Sequence, residues 1–578
     1  MIKQLLFTSL LLAPCAQSMA QSIKKADGVT MYSISQDGRY ACSANEGMVV
    51  LWNTEKDNEL TILDNEFYYC DGVSNDGVMA GAVGPTGSEL PALISAEGVT
   101  YLPMPEDTEW SYGSARGISS DGKFICGLLS DASISVMDNA TPIKPFVWEV
   151  DGDNITCTAL PYPEKDFTGR CPQGHHALMV SEDKNRVLGR QIDYSGFGGA
   201  IIVWERTAPG ESWTYTILGE DIQYKDGPDF PEYPDEPKSV NYKDYMTTEE
   251  IAAYNEAYQN WASSGYVGDM PKYEDFITDE TRKSQYLEDK EAYDKAYEEY
   301  SDKIDAFFEV YNSRKSDYSL DLYSFSGSFN GRYVGCTLQT MDFSDWFPTT
   351  ISYPCYYDLD DNCKFVSLTD EKYKNTGLGG RITDNGDLVV SIPASASMYD
   401  PRTSYVIPAG EEQMLPIYDF LGKTNDGKVN RQTFVDGGLQ FSWQGYDPTT
   451  YEPVEITDSI LVGATVLSAD GKNAIGFTVD PSTFTISSWA LNSFTTTGIN
   501  TVKTGKAEAV LRSSVIENGL IEFVADVENA ALFDLSGAAL YNGKPQGSSM
   551  AAPAQEGIYI LKTKLKNGAV RTDKIVVR

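Results

Sequence analysis

Seven times along the chain a strand-like run ends in a short turn built on Ser-x-Asp-Gly. The turns are Ile34-Ser35-Gln36-Asp37-Gly38, Val73-Ser74-Asn75-Asp76-Gly77, Ile118-Ser119-Ser120-Asp121-Gly122, Val180-Ser181-Glu182-Asp183-Lys184, Gly327-Ser328-Phe329-Asn330-Gly331, Ile382-Thr383-Asp384-Asn385-Gly386 and Leu467-Ser468-Ala469-Asp470-Gly471. The chemistry of such a turn is local. Asp or Asn accepts from a backbone N–H two residues on, Ser adds a hydroxyl, and Gly tolerates positive φ. A second run follows each turn, and in five copies it closes on glycine: Gly81, Gly127, Gly189, Gly335 or Gly476. Four copies carry a later strand ending in Trp52, Trp148, Trp204 or Trp489. A strand–turn–strand unit cannot bury its apolar face alone, so neighbouring copies must pack on one another.

The turn serines or threonine stand at 35, 74, 119, 181, 328, 383 and 468, giving spacings of 39, 45, 62, 147, 55 and 85 residues. The short spacings fit a four-stranded blade of about 40–50 residues. The expected fold class is therefore all-β, a seven-bladed β-propeller over 21–498, with six or eight blades as alternatives. An eighth, degenerate blade has room around Val435-Asp436-Gly437-Gly438. Ile118-Ser119-Ser120-Asp121-Gly122-Lys123-Phe124-Ile125-Cys126-Gly127 resembles the TolB/WD40-like repeat and a repeat of secreted bacterial proteins. The resemblance covers residues 30–495 in pieces. It implies the fold and leaves the ligand open.

The 147-residue gap predicts an insertion over 225–317, where the apolar period changes from two to about 3.6. Ile251, Tyr254, Tyr258 and Trp261 share one helical face, with Thr247 or Thr248 as the cap and Glu249-Glu250 at the positive end. A second helix, 278–313, carries Tyr286, Tyr293, Tyr297, Tyr300, Ile304, Phe307 and Tyr311. Together they predict an α-helical hairpin against one face of the propeller. Packing accounts for most such stripes, but Tyr254, Tyr258 and Trp261 are also candidate ligand contacts, since Tyr packs while presenting a hydroxyl.

Residues 505–578 read as a small C-terminal β-sandwich, with strands 520–524, 531–535, 558–562 and 574–577. Ala531-Leu532-Phe533-Asp534-Leu535-Ser536-Gly537, Gly557-Ile558-Tyr559-Ile560-Leu561-Lys562 and Lys574-Ile575-Val576-Val577 resemble the type IX secretion sorting domain of exported Bacteroidetes proteins. Ser514-Val515-Ile516-Glu517-Asn518-Gly519 stands where that family has Asn-Pro. The resemblance implies the secretion machinery as a partner and export to the cell surface. Residues 1–20 read as a signal peptide: Lys3, an apolar run from Leu5 to Ala13, and Ser18-Met19-Ala20 before the cut. The expected location is secreted or cell-surface, by way of the periplasm.

Net charge is −39. Such a chain repels nucleic acid, and no stretch beyond the leader is long and apolar enough to span a bilayer. The nine cysteines include Cys15 of the leader; Cys355/Cys363 and Cys157/Cys171 are spaced for disulfides, with connectivity open.

The signs of catalysis are few. The two histidines, His175 and His176, are adjacent, and in a strand at most one reaches the central channel. They are candidate ligand contacts. No Gly-x-Ser-x-Gly elbow, HExxH or Walker loop is present, and no catalytic residue or cofactor is assigned. Asp358, Asp360 and Asp361 form an acidic group of the kind that suits Ca²⁺, without the Gly and distal Glu of an EF-hand. The expected function is an extracellular binding or interaction module for a protein or glycan. The alternatives are a polysaccharide lyase or hydrolase with carboxylates across the channel, or a structural envelope component.

Overall fold

The structure is a computed structural model. It describes residues 21–578 except 46–47, 56–58, 65–67, 107, 135–139, 153, 193–198, 344–348, 396–401, 448–449, 451, 494–510, 512–514, 517–518, 525, 534–538, 546, 556 and 567–569. The leader assigned to 1–20 and the Asp534–Gly537 part of the C-terminal motif lie outside the described residues. The chain divides into two compact units, 1–493 and 494–578, and is mostly β.

Five of the seven turns close through one common set of side-chain bonds. Ser35 Oγ donates to Asp37 Oδ1 at 2.8 Å, Asp37 Oδ1 accepts from Arg39 N at 3.0 Å, and Ser35 Oγ accepts from Tyr40 N at 3.0 Å. The same three bonds recur at Ser119, Ser181, Ser328 and Ser468. Thr383 differs and donates to Asp387 instead.

Each turn joins the first two strands of an antiparallel sheet. The first sheet holds Ser33–Ile34, Tyr40–Asn45, Met48–Asn53 and Glu59–Asp64. The second holds Tyr68–Val73, Met79–Val83, Leu90–Ser95 and Gly98–Tyr101. The third, Trp110–Ile118 to Asn154–Ala159, meets the fourth, Gly174–Val180 to Thr214–Leu218, through one parallel pair at Ile143 and Gly174. The fifth runs from Tyr318–Gly327 to Lys364–Ser367, and the sixth from Gly377–Leu378 to Leu415–Pro416. The last sheet has Gly463–Leu467, Ala474–Val479 and Ile486–Leu491. Its outer strand is Lys24–Asp27, from the beginning of the chain.

Hydrophobic cores form between sheets that are consecutive in the chain. Leu51 and Met79 share one, Ala80 and Trp148 the next, then Val147 and Trp204, Val203 and Val334, and Tyr356 and Leu388. Val406 and Trp489 join the sixth sheet to the last, and Ile475 and Trp52 join the last to the first. Trp52, Trp148, Trp204 and Trp489 are fully buried, which explains the tryptophan at the third strand.

The turns themselves are linked in the same order. Asp37 N donates to Asn75 Oδ1 (3.1 Å) and Asn75 N to Ser120 O (2.9 Å). Lys184 Nζ reaches Asp121, Glu182 N donates to Phe329 O (2.8 Å), and Asn330 N to Asp384 Oδ1 (2.8 Å). Asp384 N donates to Ala469 O (3.1 Å), and Ala469 N returns to Gln36 O (3.0 Å).

The stretch around Val435–Gly438 forms no sheet. It ends the helix Arg431–Asp436, which follows the helix Ile417–Thr424 and precedes a hairpin of Gln440–Tyr446 and Pro453–Ile460. The cysteines assigned by spacing are free thiols. Cys336 lies directly across the ladder from Cys355, the residue expected to reach Cys363.

The insertion leaves and rejoins side by side, through a bridge between Tyr224 and Lys315. Its helices are Thr248–Ser263, closed by a capping box of Thr247 and Glu250, and Glu280–Arg314. The aromatic stripe is packed at its ends only. Tyr286 joins Tyr254, Met246 and Ile277, while Phe307 and Tyr311 join Tyr224. Between them Tyr297 is 45% exposed.

The 494–578 unit has a five-stranded sheet and a separate pair, Leu520–Glu522 with Ser549–Ala551. One core holds Ile521, Phe523, Leu532, Leu561 and Ile575.

Candidate functional site

The first strands of the sheets converge on a cavity of about 260 Å³. Three of those strands carry an extra residue three positions before the turn serine. Cys70 pairs with Gly81 and Gly72 with Ala80, so Asp71 is unmatched. In the same way Arg116 is unmatched between Ala115 and Gly117, and Leu178 between Ala177 and Met179. A bulge re-aims the side chain of its extra residue, and all three line the cavity. The bulges also account for the glycines Gly81, Gly127 and Gly189 that close three of the copies. A Cβ on Gly127 would lie 2.1 Å from Ser114 O, and one on Gly189 2.0 Å from His176 O.

The cavity is cationic although the chain is strongly acidic. Arg116, Arg190 and Arg381 line it, and among the described lining residues Asp71 is the one carboxylate. Arg116 Nη1 holds Asp71 Oδ2 at 2.6 Å, while its Nε is buried with no hydrogen-bond partner. Arg190 Nη1 donates to Leu322 O at 2.8 Å, its Nε is likewise unpartnered, and its guanidinium lies 4.6 Å from the Tyr323 ring centre. Arg381 lies 4.0 Å from the ring centre of Phe329. Burial pulls the Arg381 guanidinium down to about 10, with Asp384 opposing. Burial also lowers Arg190, against Tyr323 and with the help of Arg116.

The two histidines take opposite faces. His175 is fully buried, and its ring lies 4.7 Å from that of Tyr162, tilted by 31°. His176 is half-buried and feels the charge of Arg190 and Arg116; burial and those arginines hold it neutral, at about 3. It pairs across the ladder with Arg190 but is not itself among the residues lining the cavity.

The other expected site residues lie elsewhere. Tyr254 is buried in the core of the insertion, Tyr258 is 37% exposed beside it, and Trp261 Nε1 donates to Gly268 O. None of them lines the cavity. Asp358, Asp360 and Asp361 are taken up by cations rather than gathered around a metal position. Arg332 holds Asp358 through two bonds of 2.9 and 2.8 Å, Arg186 reaches Asp360 at 3.1 Å, and Lys364 lies 3.6 Å from Asp361. Among the described residues no group of three or more acidic, His or Cys side chains could hold a metal ion. The carboxylate pair that a polymer-cleaving channel needs is likewise not found among the described lining residues.

Sequence reasoning missed the three arginines. The repeat carried a signal for one of them: three places before the turn serine, Tyr32, Asp71, Arg116 and Leu178 differ in chemistry while the flanking pattern stays constant.

No protein-family model matches the chain, and no curated protein sequence matches it. Solved structures show loose likeness. A TolB-like protein from Agrobacterium tumefaciens is 13% identical at TM-score 0.28, covering 61% of this chain and 89% of its own. The β-propeller domain of the Trilobed protease from Pyrococcus furiosus is 7% identical at TM-score 0.27, covering 96% and 93%. The WD40 domain of SCAP from fission yeast is 8% identical at TM-score 0.31, covering 82% and 88%. Similarity this weak decides neither fold nor function.

Proposed function

We propose that this chain is an exported binding protein built on a seven-bladed β-propeller. On this reading each turn-bearing sheet is a blade, and Lys24–Asp27 fastens the last blade to the start of the chain. The unbroken succession of inter-sheet cores and of turn-to-turn hydrogen bonds supports the blade count. Residues 505–578 form a small sandwich that routes the chain through the type IX machinery, after removal of 1–20. The insertion is an arm carried by the propeller.

One observation carries the binding role. Side chains of unlike chemistry occupy the same repeat position and open into one cavity, while the surrounding strands keep a common pattern. A purely structural repeat has no use for that variety. A rigid scaffold that presents differing side chains at one place is suited to recognition.

Two experiments test the reading. The mature chain, 21–578, is titrated with panels of peptides and oligosaccharides; saturable binding lost on substituting cavity residues is expected. Failure of every panel, with a stable envelope protein co-purifying, overturns the ligand role in favour of a structural one. In the native host, a chain lacking 505–578 is expected to stay in the periplasm. Its arrival at the surface overturns the sorting assignment.

A further inference from the structure

The cavity holds three arginines in a chain with 84 acidic and 45 basic residues. Carboxylates outnumber cations nearly two to one, so an arginine with none in reach is the exception. Elsewhere they pair readily: Arg332 with Asp358, Arg186 with Glu205, Arg206 with Glu149 and Arg282 with Glu250. In the cavity only Arg116 has a carboxylate. Among the described residues, none lies within ion-pair distance of Arg190 or Arg381.

The donors are also left over. Nε of Arg116 and Nε of Arg190 are both buried without a hydrogen-bond partner. Burying a charged donor unpaired is costly, and a fold keeps such a group where something outside the fold answers it. Arg116 and Arg190 lie on strands of the third and fourth sheets and Arg381 in the segment leading into the sixth turn, so no single strand's pattern explains them. Tyr323 and Phe329 back two of the guanidinium planes, which orients them without neutralising them.

A planar guanidinium presents paired N–H groups that match the two oxygens of a carboxylate, sulfate or phosphate. We propose that the central cavity recognises an oxyanion carried by the ligand, with Arg381 and Arg190 as its primary donors and Arg116 shared between the ligand and Asp71. The overall negative charge of the chain then acts as a filter. It discourages anions everywhere except where the arginines gather. This inference rests on the binding reading above and names its ligand class.

The test is calorimetric titration of the mature chain, 21–578, with glutarate, sulfate and phosphate as separate probes. One-to-one saturable binding to at least one probe is expected, and the preferred probe identifies which oxyanion the cavity accepts. Affinity is expected to fall at least tenfold in Arg381→Gln and in the Arg116→Gln/Arg190→Gln double variant, and to be unchanged in Lys372→Gln on the exposed surface. Arg381→Lys keeps the charge without the fork and is expected to be intermediate; it carries the test if Arg381→Gln does not fold. No binding by any probe, or equal affinity in the arginine variants, overturns the proposal. A neutral peptide or sugar that binds the cavity regardless of these substitutions sinks the oxyanion assignment and leaves the binding role standing.

Discussion

Arg381 stands 4.0 Å from the centre of the Phe329 ring. Phe329 is the variable residue of the fifth turn, yet its ring packs on the core of the last and first sheets, beside Met31 and Ile34. One side chain thus floors the cavity and ties together parts of the fold that are remote in sequence. Phe329→Ala is expected to cost about 1–2 kcal/mol, less than for a fully buried ring because Phe329 is half-buried. Denaturant unfolding measures the loss, and the variant is expected to lower ligand affinity as Arg381 loses its support.

The turn serines are structural. Ser119 is buried, donates to Asp121 and accepts from the N–H of Phe124. Ser119→Ala leaves that buried N–H short of its side-chain acceptor. A loss of about 1–3 kcal/mol is expected from denaturant midpoints, with the ligand affinity of the folded protein unchanged.

His175 sets a pH dependence. Burial holds its imidazole at about 3, against an ordinary value of 6.5. Between those values the unfolded chain binds a proton that the folded one refuses, so stability is complete above pH 6.5 and declines as pH falls. From pH 6.5 to 5 the loss is up to about 2 kcal/mol. Urea midpoints at pH 7 and 5 measure it. His175→Phe, which can keep the ring contact with Tyr162, is expected to remove the part of the decline that His175 contributes and to leave the part due to His176, which is also held at about 3.

Five of the eight described cysteines are buried, namely Cys42, Cys70, Cys126, Cys336 and Cys355. Burial pushes the Cys126 thiol well up and Cys157 up to about 12. Alkylation of the native protein is expected to label at most Cys157, Cys171 and Cys363, and to reach all eight only on unfolding. Mass spectrometry of the labelled peptides reads the outcome.

The arm is rooted at Phe307, which is 1% exposed and lies 4.9 Å from Tyr233 and 5.9 Å from Phe230. Phe307→Ala is expected to remove about 3 kcal/mol from that root. Limited proteolysis should then cut within 225–314 while the unfolding midpoint of the sheets stays near that of the parent.

Much of this architecture could be read from single residues. Asp37 and Ser35 announce their turn because all their bonds fall within five positions. Thr247 and Glu250 announce the start of a helix for the same reason. The parts that were illegible depend on distant partners. Asp360 looked like a free acid, and the arginine that answers it is 174 residues away. The middle tyrosines of the long helix carry the periodicity of a packed stripe, but no element covers Tyr297. The helix Ile417–Thr424 spans eight residues, too few for its period to stand out from a strand in a gap where another sheet was plausible. Arg116 was hidden by its bulge, since an extra residue breaks the alternation by which a strand's two faces are told apart.

The strand Lys24–Asp27 finds its partner late. Asp27 accepts a hydrogen bond from Ser487, 460 residues further along. During synthesis, the opening strand therefore waits with its edge unpaired until almost the whole first unit has emerged. Closing so long a loop is entropically expensive and slow. Any agent that occupies the free edge first, whether a chaperone or a strand of another copy, keeps the last sheet short of its outer strand.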